Sequence, residues 1–143
     1  VGIKEANSDP ARMQALLPLR GEGFSVLGGD DATAARAMLA GADGVVSVVS
    51  NVVPCAFRML CDLARGGRRA EAEALDARLR GLYGFSSVEP NPVPIKALLG
   101  ILGIGHGVRL PLLPLSEQHR AAAERLAREA GELERSCRDA VAA

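Results

Sequence analysis

The first third of the chain alternates between short apolar runs and segments with helical spacing. Apolar runs at 1–3, 24–27 and 45–49 predict three strands, and each is followed by apolar residues spaced as on one face of a helix. The run at 45–49 is interrupted only by Ser47, which is typical of a strand buried on both faces. Three successive strand–helix units predict a parallel sheet, either open or closed into a barrel.

Polar residues between these runs predict where the helices begin. Asp9 followed by Pro10 is typical of an N-cap with proline in the first helical position. Asp31 is predicted to cap a helix over residues 32–40, and another helix is predicted to follow Pro54.

The remainder of the chain is predicted to be helical. Apolar stripes predict helices over residues 68–83 and 95–102. Ser116 is predicted to cap a final helix whose apolar stripe runs to Val141. Proline-rich segments, "SSVEPNPVP" and "RLPLLPL", separate these helices.

Composition narrows the possible functions. The 143 residues are 48% hydrophobic and only 3% aromatic, and 17 basic residues balance 17 acidic ones. Because the chain has no excess of basic charge, nucleic-acid binding is not expected. No apolar run has the length of a membrane span, so no membrane association is expected. The three cysteines, whose spacing gives no disulfide framework, predict a reducing, cytoplasmic location.

Cysteine and histidine positions give no sign of a metal centre. The spacing of Cys55, Cys61 and Cys137 matches neither a zinc site nor a disulfide framework, which favours a reducing compartment and buried, inert thiols. His106 and His119 have no accompanying ligands, so neither a metal nor another cofactor is expected. The chain lacks an initiator methionine and begins within a predicted strand, so we expect it to be a piece of a longer protein.

Lys4, in the opening stretch "VGIKEAN", is the sharpest candidate for chemistry. The chain has 15 arginines but only two lysines, and Lys4 lies at the end of a predicted apolar strand. Apolar walls would lower the pKa of the amine, and a neutral amine can form a Schiff base with a ketone. The alternative is an exposed strand-end lysine paired with Glu5.

Two further strand ends could meet Lys4 at the same edge of the sheet. In "GGDDAT", Gly29 and Asp30 lie where backbone can approach a ligand, although Asp31 could equally be a simple helix cap. In "VVSVVSN", the backbone at Val46 could line a pocket, although the segment could equally be a core strand.

Taken together, these motifs resemble a known family. "GIKEA", "GGDDAT", "GADGVVSVVSNVVP", "EPNPVPIK" and "RLPLLPLS" follow the order and spacing of the dihydrodipicolinate synthases, also called 4-hydroxy-tetrahydrodipicolinate synthases, of the pyruvate-dependent class I aldolase superfamily. The resemblance implies an α/β fold, namely the C-terminal half of a TIM (β/α)8 barrel followed by a helical domain. On this basis residues 1–66 are expected to form the last three βα units and residues 67–143 the helical domain.

The resemblance also implies a reaction and its residues. Lys4 matches the lysine that forms a Schiff base with pyruvate, and the resulting enamine attacks aspartate 4-semialdehyde in lysine and diaminopimelate biosynthesis. Gly29 and Asp30 match a turn at the substrate-binding mouth, and Val46 matches the residue whose carbonyl approaches bound pyruvate. The family is usually a homotetramer, so a homo-oligomer is expected.

Other roles in the family belong to residues upstream of the lysine. Its proton-relay tyrosines, its threonines and its substrate arginine have no counterpart here, and Tyr83 falls on a downstream helix. We therefore expect the isolated chain to be inactive. Two alternatives remain open: another pyruvate-dependent aldolase, such as N-acetylneuraminate lyase, and a truncated, non-catalytic paralogue that acts as an assembly partner.

Overall fold

Short strands and longer helices alternate along the molecule. The computed structural model describes residues 1–142, with side chains described up to residue 140, so Val141 of the predicted stripe lies outside the described side chains. The strands are β1 (Gly2–Glu5), β2 (Ser25–Gly28) and β3 (Gly44–Val45). The α-helices are α1 (Pro10–Leu16), α2 (Ala34–Leu39), α3 (Pro54–Arg65), α4 (Arg69–Phe85), α5 (Val93–Ile101) and α6 (Arg120–Ala142).

The strands form one parallel sheet in the order β1–β2–β3, which confirms the predicted sheet. Lys4 pairs with Leu27, and Gly28 lies between Glu5 on one side and Val45 on the other. Parallel strands with this register end at the same edge of the sheet. Chain segments that follow β1, β2 and β3 therefore emerge side by side.

The third strand is much shorter than predicted. It covers Gly44–Val45 rather than 45–49, and residues 49–51 form a turn of 3₁₀ helix. The N–H of Val48 donates to Oδ2 of Asp31 at 3.1 Å, so this backbone bonds to a side chain rather than to a neighbouring strand. The apolar run predicted the burial of Val49, which is fully buried, but not its conformation.

The helix after β2 also begins differently. Residues 31–33 form a 3₁₀ turn, and the α-helix starts only at Ala34. Asp31 was predicted to cap this helix, and that prediction is wrong because its carboxylate points to Val48. The cap predicted for α1 is confirmed, since Oδ1 of Asp9 accepts a hydrogen bond from the N–H of Ala11 at 2.9 Å.

Contacts divide the chain into two compact units, Val1–Val48 with Arg58–Arg78, and Val49–Phe57 with Leu79–Ala143. The domain boundary expected at residue 66 stays a prediction. A hydrophobic cluster in the first unit joins one face of the sheet to α1 and α2. Its buried members are Met13, Leu16, Val26, Ala37 and Ala42.

The second unit is built around the packing of α5 on α6. Leu98 of α5 and Ala127 of α6 are fully buried. Ser116 does not cap the last helix with its side chain, contrary to the prediction; its backbone N–H instead donates to Oε1 of Glu89 at 3.0 Å. No helix in the described part of the chain is both long and apolar enough to cross a membrane.

Buried Glu134 caps the first turn of α3 within this second unit. Its two carboxylate oxygens accept hydrogen bonds from the N–H groups of Cys55 at 2.8 Å and Ala56 at 3.1 Å. These are free donors of the first helical turn, where a negative charge is also favoured by the helix dipole. Pro54 at the first position has no N–H to satisfy.

Candidate functional site

The carboxyl ends of the three strands bring the predicted site residues together. Beyond the ladder, the N–H of Gly29 donates to the carbonyl of Glu5 at 2.7 Å. The N–H of Val46 donates in the same way to the carbonyl of Gly28 at 2.8 Å. The backbone segments that carry Lys4, Gly29 and Val46 are thus hydrogen-bonded neighbours at one edge of the sheet.

Lys4 and Gly29 are in direct steric contact. A Cβ atom on Gly29 would lie 2.5 Å from Cε and 2.9 Å from Cγ of Lys4, and 3.1 Å from Cβ of Ala6. Carbon atoms attract one another best at about 3.5 to 4.0 Å, so the first two separations are severe overlaps. Only glycine at position 29 leaves room for the Lys4 side chain as it lies here.

Lys4 itself is exposed, so the apolar walls predicted around it are not supplied by the described residues. β1 is an edge strand of the sheet, and no described strand pairs with its outer side. This is a correction to the sequence-based expectation of a desolvated amine. Apolar side chains can surround an amine only where the sheet continues on both sides.

Glu5 is not the partner of Lys4. Its Oε2 accepts a hydrogen bond from Nε of Arg12 at 2.7 Å, and its Oε1 accepts one from the N–H of Asn7 at 2.8 Å. These bonds, led by that of Asn7, lower the pKa of Glu5. Among the described residues no carboxylate pairs with Lys4, so the alternative interpretation of a Lys4–Glu5 pair is wrong.

Asp30 lies beside these segments, in the turn after β2. The residue is half-buried, and its Oδ2 is a buried oxygen with no hydrogen-bond partner among the described residues. A buried carboxylate oxygen without a donor is unfavourable, because it has lost its water and gained nothing in return. This oxygen is therefore suited to a ligand that brings a donor group.

The sequence predicted the wrong role, that of a helix cap, for Asp31. It is 7% exposed, and through Oδ2 it holds the N–H of Val48, two residues beyond Val46. The side chain thereby fixes the course of the backbone leaving β3. The adjacent acidic pair in "GGDDAT" was the available signal, but a contact 17 residues away cannot be read from spacing.

Val46 is placed by backbone rather than by side-chain packing. Its side chain is 46% exposed, high for a valine that continues a buried-looking run. A core-strand interpretation of this position is therefore wrong. The exposure and the bond to Gly28 put the Val46 peptide at the rim of the sheet edge where β1, β2 and β3 end. We call this edge the strand-end edge.

The three cysteines are free thiols, and only Cys137 is buried, so burial of Cys55 and Cys61 was wrongly predicted. The Glu134 carboxylate beside Cys55 raises the pKa of that thiol. Partial burial of the Cys61 side chain raises the pKa of that thiol. Both thiols are thereby held in the protonated, less nucleophilic form. Within the described residues no three His, Cys, Asp or Glu side chains are grouped to hold a metal ion.

Sequence comparison places this arrangement among known enzymes. The model of the dihydrodipicolinate synthetase family matches residues 1–130. A curated 4-hydroxy-tetrahydrodipicolinate synthase from Xanthomonas axonopodis pv. citri is 59% identical over 134 residues, covering 94% of this chain and 44% of that protein. One from Stenotrophomonas maltophilia strain K279a is 56% identical over 134 residues, covering 94% of this chain and 45% of that protein.

Solved structures give the same picture for the fold. A dihydrodipicolinate synthase from Acinetobacter baumannii, described as chloride inhibited and complexed with pyruvate, superposes with a TM-score of 0.84 at 39% identity, covering 92% of this chain and 45% of that one. A synthase from Methylacidiphilum fumariolicum SolV superposes with a TM-score of 0.86 at 35% identity, covering 97% and 47%. The chain therefore spans a little under half the length of the relatives it matches.

Proposed function

Because this chain belongs to the dihydrodipicolinate synthetase family, we propose that it supplies the lysine-bearing part of a 4-hydroxy-tetrahydrodipicolinate synthase, a lyase. The observation that carries the proposal is the strand-end edge, where Lys4 lies against Gly29 and beside Val46. In α/β barrels this edge carries the active site. The fold supports the same conclusion, since it matches about 45% of a TIM-barrel synthase.

Lys4 is the proposed nucleophile. Its Nζ attacks the ketone carbon of pyruvate, water leaves, and a Schiff base forms. Loss of a proton from the methyl carbon then gives an enamine, whose carbon attacks the aldehyde of aspartate 4-semialdehyde. The amino group of that substrate then adds to the former ketone carbon and displaces Nζ of Lys4, which closes the ring and restores the free lysine. The cyclised product enters lysine and diaminopimelate biosynthesis.

The neighbouring residues have binding roles in this proposal. The Val46 carbonyl faces bound pyruvate, and the Gly29 backbone lines the mouth. Oδ2 of Asp30, which is buried and lacks a donor, is suited to the ammonium group of the amino-acid aldehyde. The names of the relatives favour this synthase over N-acetylneuraminate lyase.

Assembly and location complete the proposal. Since the family resemblance implies a homotetramer, we propose a homo-oligomeric enzyme. A cytoplasmic location is proposed with it, and the three free thiols are consistent with a reducing compartment.

Trapping of the Schiff base tests the proposal directly. The chain is incubated with pyruvate and borohydride, digested, and mapped by mass spectrometry. The expected result is a reduced pyruvate adduct on the peptide that contains Lys4, because borohydride converts the imine to a stable amine. Lys96, the only other lysine, is an internal control in the same digest.

The variant Lys4→Arg keeps the positive charge but cannot form the imine, so its trapped adduct should be lost. An adduct that persists in Lys4→Arg, or an adduct confined to Lys96 or to the N-terminal amine, would contradict the role given to Lys4. Absence of any adduct would agree with an inactive isolated chain, and the same trapping on a chain extended upstream would then decide the role of Lys4.

A further inference from the structure

A basic cleft lies in the second unit, between α5, the glycine-rich segment 103–107 and the start of α6. It has a volume of about 310 Å³ and adjoins a second hollow of about 590 Å³, with Lys96 and His106 on the wall that both share. We propose that this cleft binds a small organic carboxylate that carries a short apolar chain. None of the residues assigned to the pyruvate site lines it.

Positive charge is concentrated in the cleft. Lys96 and Arg120 line the cleft, and Arg109 lines the hollow beside it. No acidic residue lines either space, although the chain as a whole carries as many acidic as basic residues. Such a local excess of one sign in a concave surface attracts ligands of the opposite charge.

Lys96 is the central cation of this group. It is half-buried, and among the described residues no carboxylate pairs with it. Arg120, by contrast, contacts Glu117 at 3.2 Å in an exposed pair of the kind that contributes little energy. An anion in the cleft would therefore meet one unneutralised ammonium group and one guanidinium group whose existing partner is weakly held.

The glycine-rich segment shapes the cleft wall. Gly103, Gly105 and Gly107 have φ angles of +80°, +69° and +64°, which side-chain-bearing residues rarely adopt. With no side chains at Gly105 and Gly107, which both line the cleft, a ligand can approach the backbone there. Gly105, His106 and Gly107 of the sequence "GIGHG" therefore form one wall of the cleft.

Apolar side chains in the cleft are the reason why the proposed ligand carries a short apolar chain. Val93 and Leu115 line the cleft together with Ile101, which is 47% exposed. An alkyl chain placed against them would remove apolar surface from water on both sides. Bare phosphate would satisfy the cations but leave this surface wet. The combination of cations and apolar wall therefore favours an organic carboxylate over an inorganic anion.

Titration of the full chain at constant ionic strength tests the proposal, with hexanoate as the probe and inorganic phosphate as the comparison. Hexanoate should bind saturably, shift the amide signals of Gly105 and Gly107 in NMR spectra, and bind more tightly than phosphate. Lys96→Met keeps the aliphatic stem and removes the charge, so its affinity for hexanoate should fall about tenfold.

Matched variants separate charge from folding. Lys96→Arg should bind hexanoate nearly as well as the original chain, and Arg125→Met, which removes an exposed charge on α6 outside the cleft, should leave affinity unchanged. The proposal is overturned if hexanoate does not saturate, if Lys96→Met binds as well as Arg125→Met, or if phosphate binds as tightly as hexanoate. Loss of binding in Lys4→Met alone would move the carboxylate to the pyruvate site and overturn it too. The pyruvate adduct on Lys4 is a separate readout, so failure of either proposal is recognisable alone.

Discussion

At the strand-end edge, Gly29 and Asp31 position their neighbours in opposite ways. Gly29 acts by what it lacks, since any side chain there would overlap the Lys4 stem. Asp31 acts through the hydrogen bond that its carboxylate accepts from the N–H of Val48. Neither residue needs to touch a substrate to matter, because Gly29 leaves the space that the Lys4 side chain occupies and Asp31 fixes the backbone at Val48.

Replacement of Gly29 by alanine should slow imine formation on Lys4. The added Cβ would meet Cε at 2.5 Å and Cγ at 2.9 Å, so the lysine stem must swing away. A shift of this size at a reacting group lowers rates by about tenfold or more. The rate of borohydride-trapped adduct formation at fixed pyruvate measures the effect.

Gly28 provides the matched control for this prediction. A Cβ there would meet only ordinary contacts, the nearest being Cγ2 of Val45 at 3.7 Å. Gly28→Ala should therefore trap pyruvate at close to the original rate. Equal rates for the two alanine variants would show that the Lys4 stem is not confined by position 29.

Asp43 makes stability depend on pH. The hydrogen bond from Arg20, followed by that from the N–H of Val26, lowers the pKa of this carboxyl. A carboxyl with a lowered pKa in the folded state contributes stability above its unfolded pKa of about 3.9 and loses it as the pH falls through the folded value. Asp43→Asn should therefore unfold more readily at neutral pH, and its difference from the original chain should shrink below pH of about 4.

Urea unfolding followed by circular dichroism between neutral and acid pH provides this test. Asp139→Asn, the same change at an exposed position of α6, serves as the control. A stability difference for Asp43→Asn that stays constant across the whole range would contradict the prediction.

At the scale of secondary-structure elements, carboxylates connect helices and loops by accepting hydrogen bonds from backbone N–H groups far away in the sequence. Glu89 holds the N–H of Ser116, 27 residues away, and Glu134 holds the start of α3. In each case a side chain accepts from backbone donors, and those at the start of α3 lie in a partly buried region. The position of an element in the second unit thus depends on residues remote in sequence.

Removal of the Glu134 carboxylate should destabilise the protein strongly. Glu134→Ala leaves the N–H groups of Cys55 and Ala56 in a buried region without acceptors, which costs about 3 kcal/mol of unfolding free energy. Glu134→Gln keeps one carbonyl oxygen and should fall between Glu134→Ala and the original chain. Urea unfolding of the three proteins measures the series.

Glu132→Ala is the natural control, since Glu132 is exposed on the same helix. Its effect should stay within about 0.5 kcal/mol. A Glu134→Ala variant as stable as Glu132→Ala would mean that the first turn of α3 finds other acceptors.

Elements were predictable from sequence where their determinants are local. Apolar spacing predicted the strand–helix alternation and the parallel sheet, and Asp9 was correctly predicted as a cap because its acceptor role spans two residues. The end of β3 and the start of α2 were not predictable from local spacing, because Asp31 bonds to Val48, 17 residues away. At the site, motif resemblance located Lys4 and Gly29, but no spacing rule could predict that their atoms would touch.

The whole molecule presents open surfaces. Within the described residues β1 and β3 are both edge strands, and exposed sheet edges pair with other chains. Leu110 and Leu113 are 86% and 70% exposed, unusual for residues of this type. Both features favour contact between copies of the chain.

The chain should therefore self-associate as its concentration rises. Sedimentation velocity over a dilution series should show an increasing mean mass, because strand edges and apolar surface both gain by pairing. The double variant Leu110→Ser with Leu113→Ser separates the two causes, since it removes apolar surface without altering the sheet. A chain that stays monomeric over the whole series would contradict the prediction.

Glu134 also sets an order of events during synthesis. It lies 79 residues after Cys55, so the first turn of α3 leaves the ribosome long before its buried acceptor exists. At translation rates of roughly 5–20 residues per second, that interval is about 4 to 16 s. During it these donors of the nascent helix lack their carboxylate partner, which becomes available only when α6 has been made.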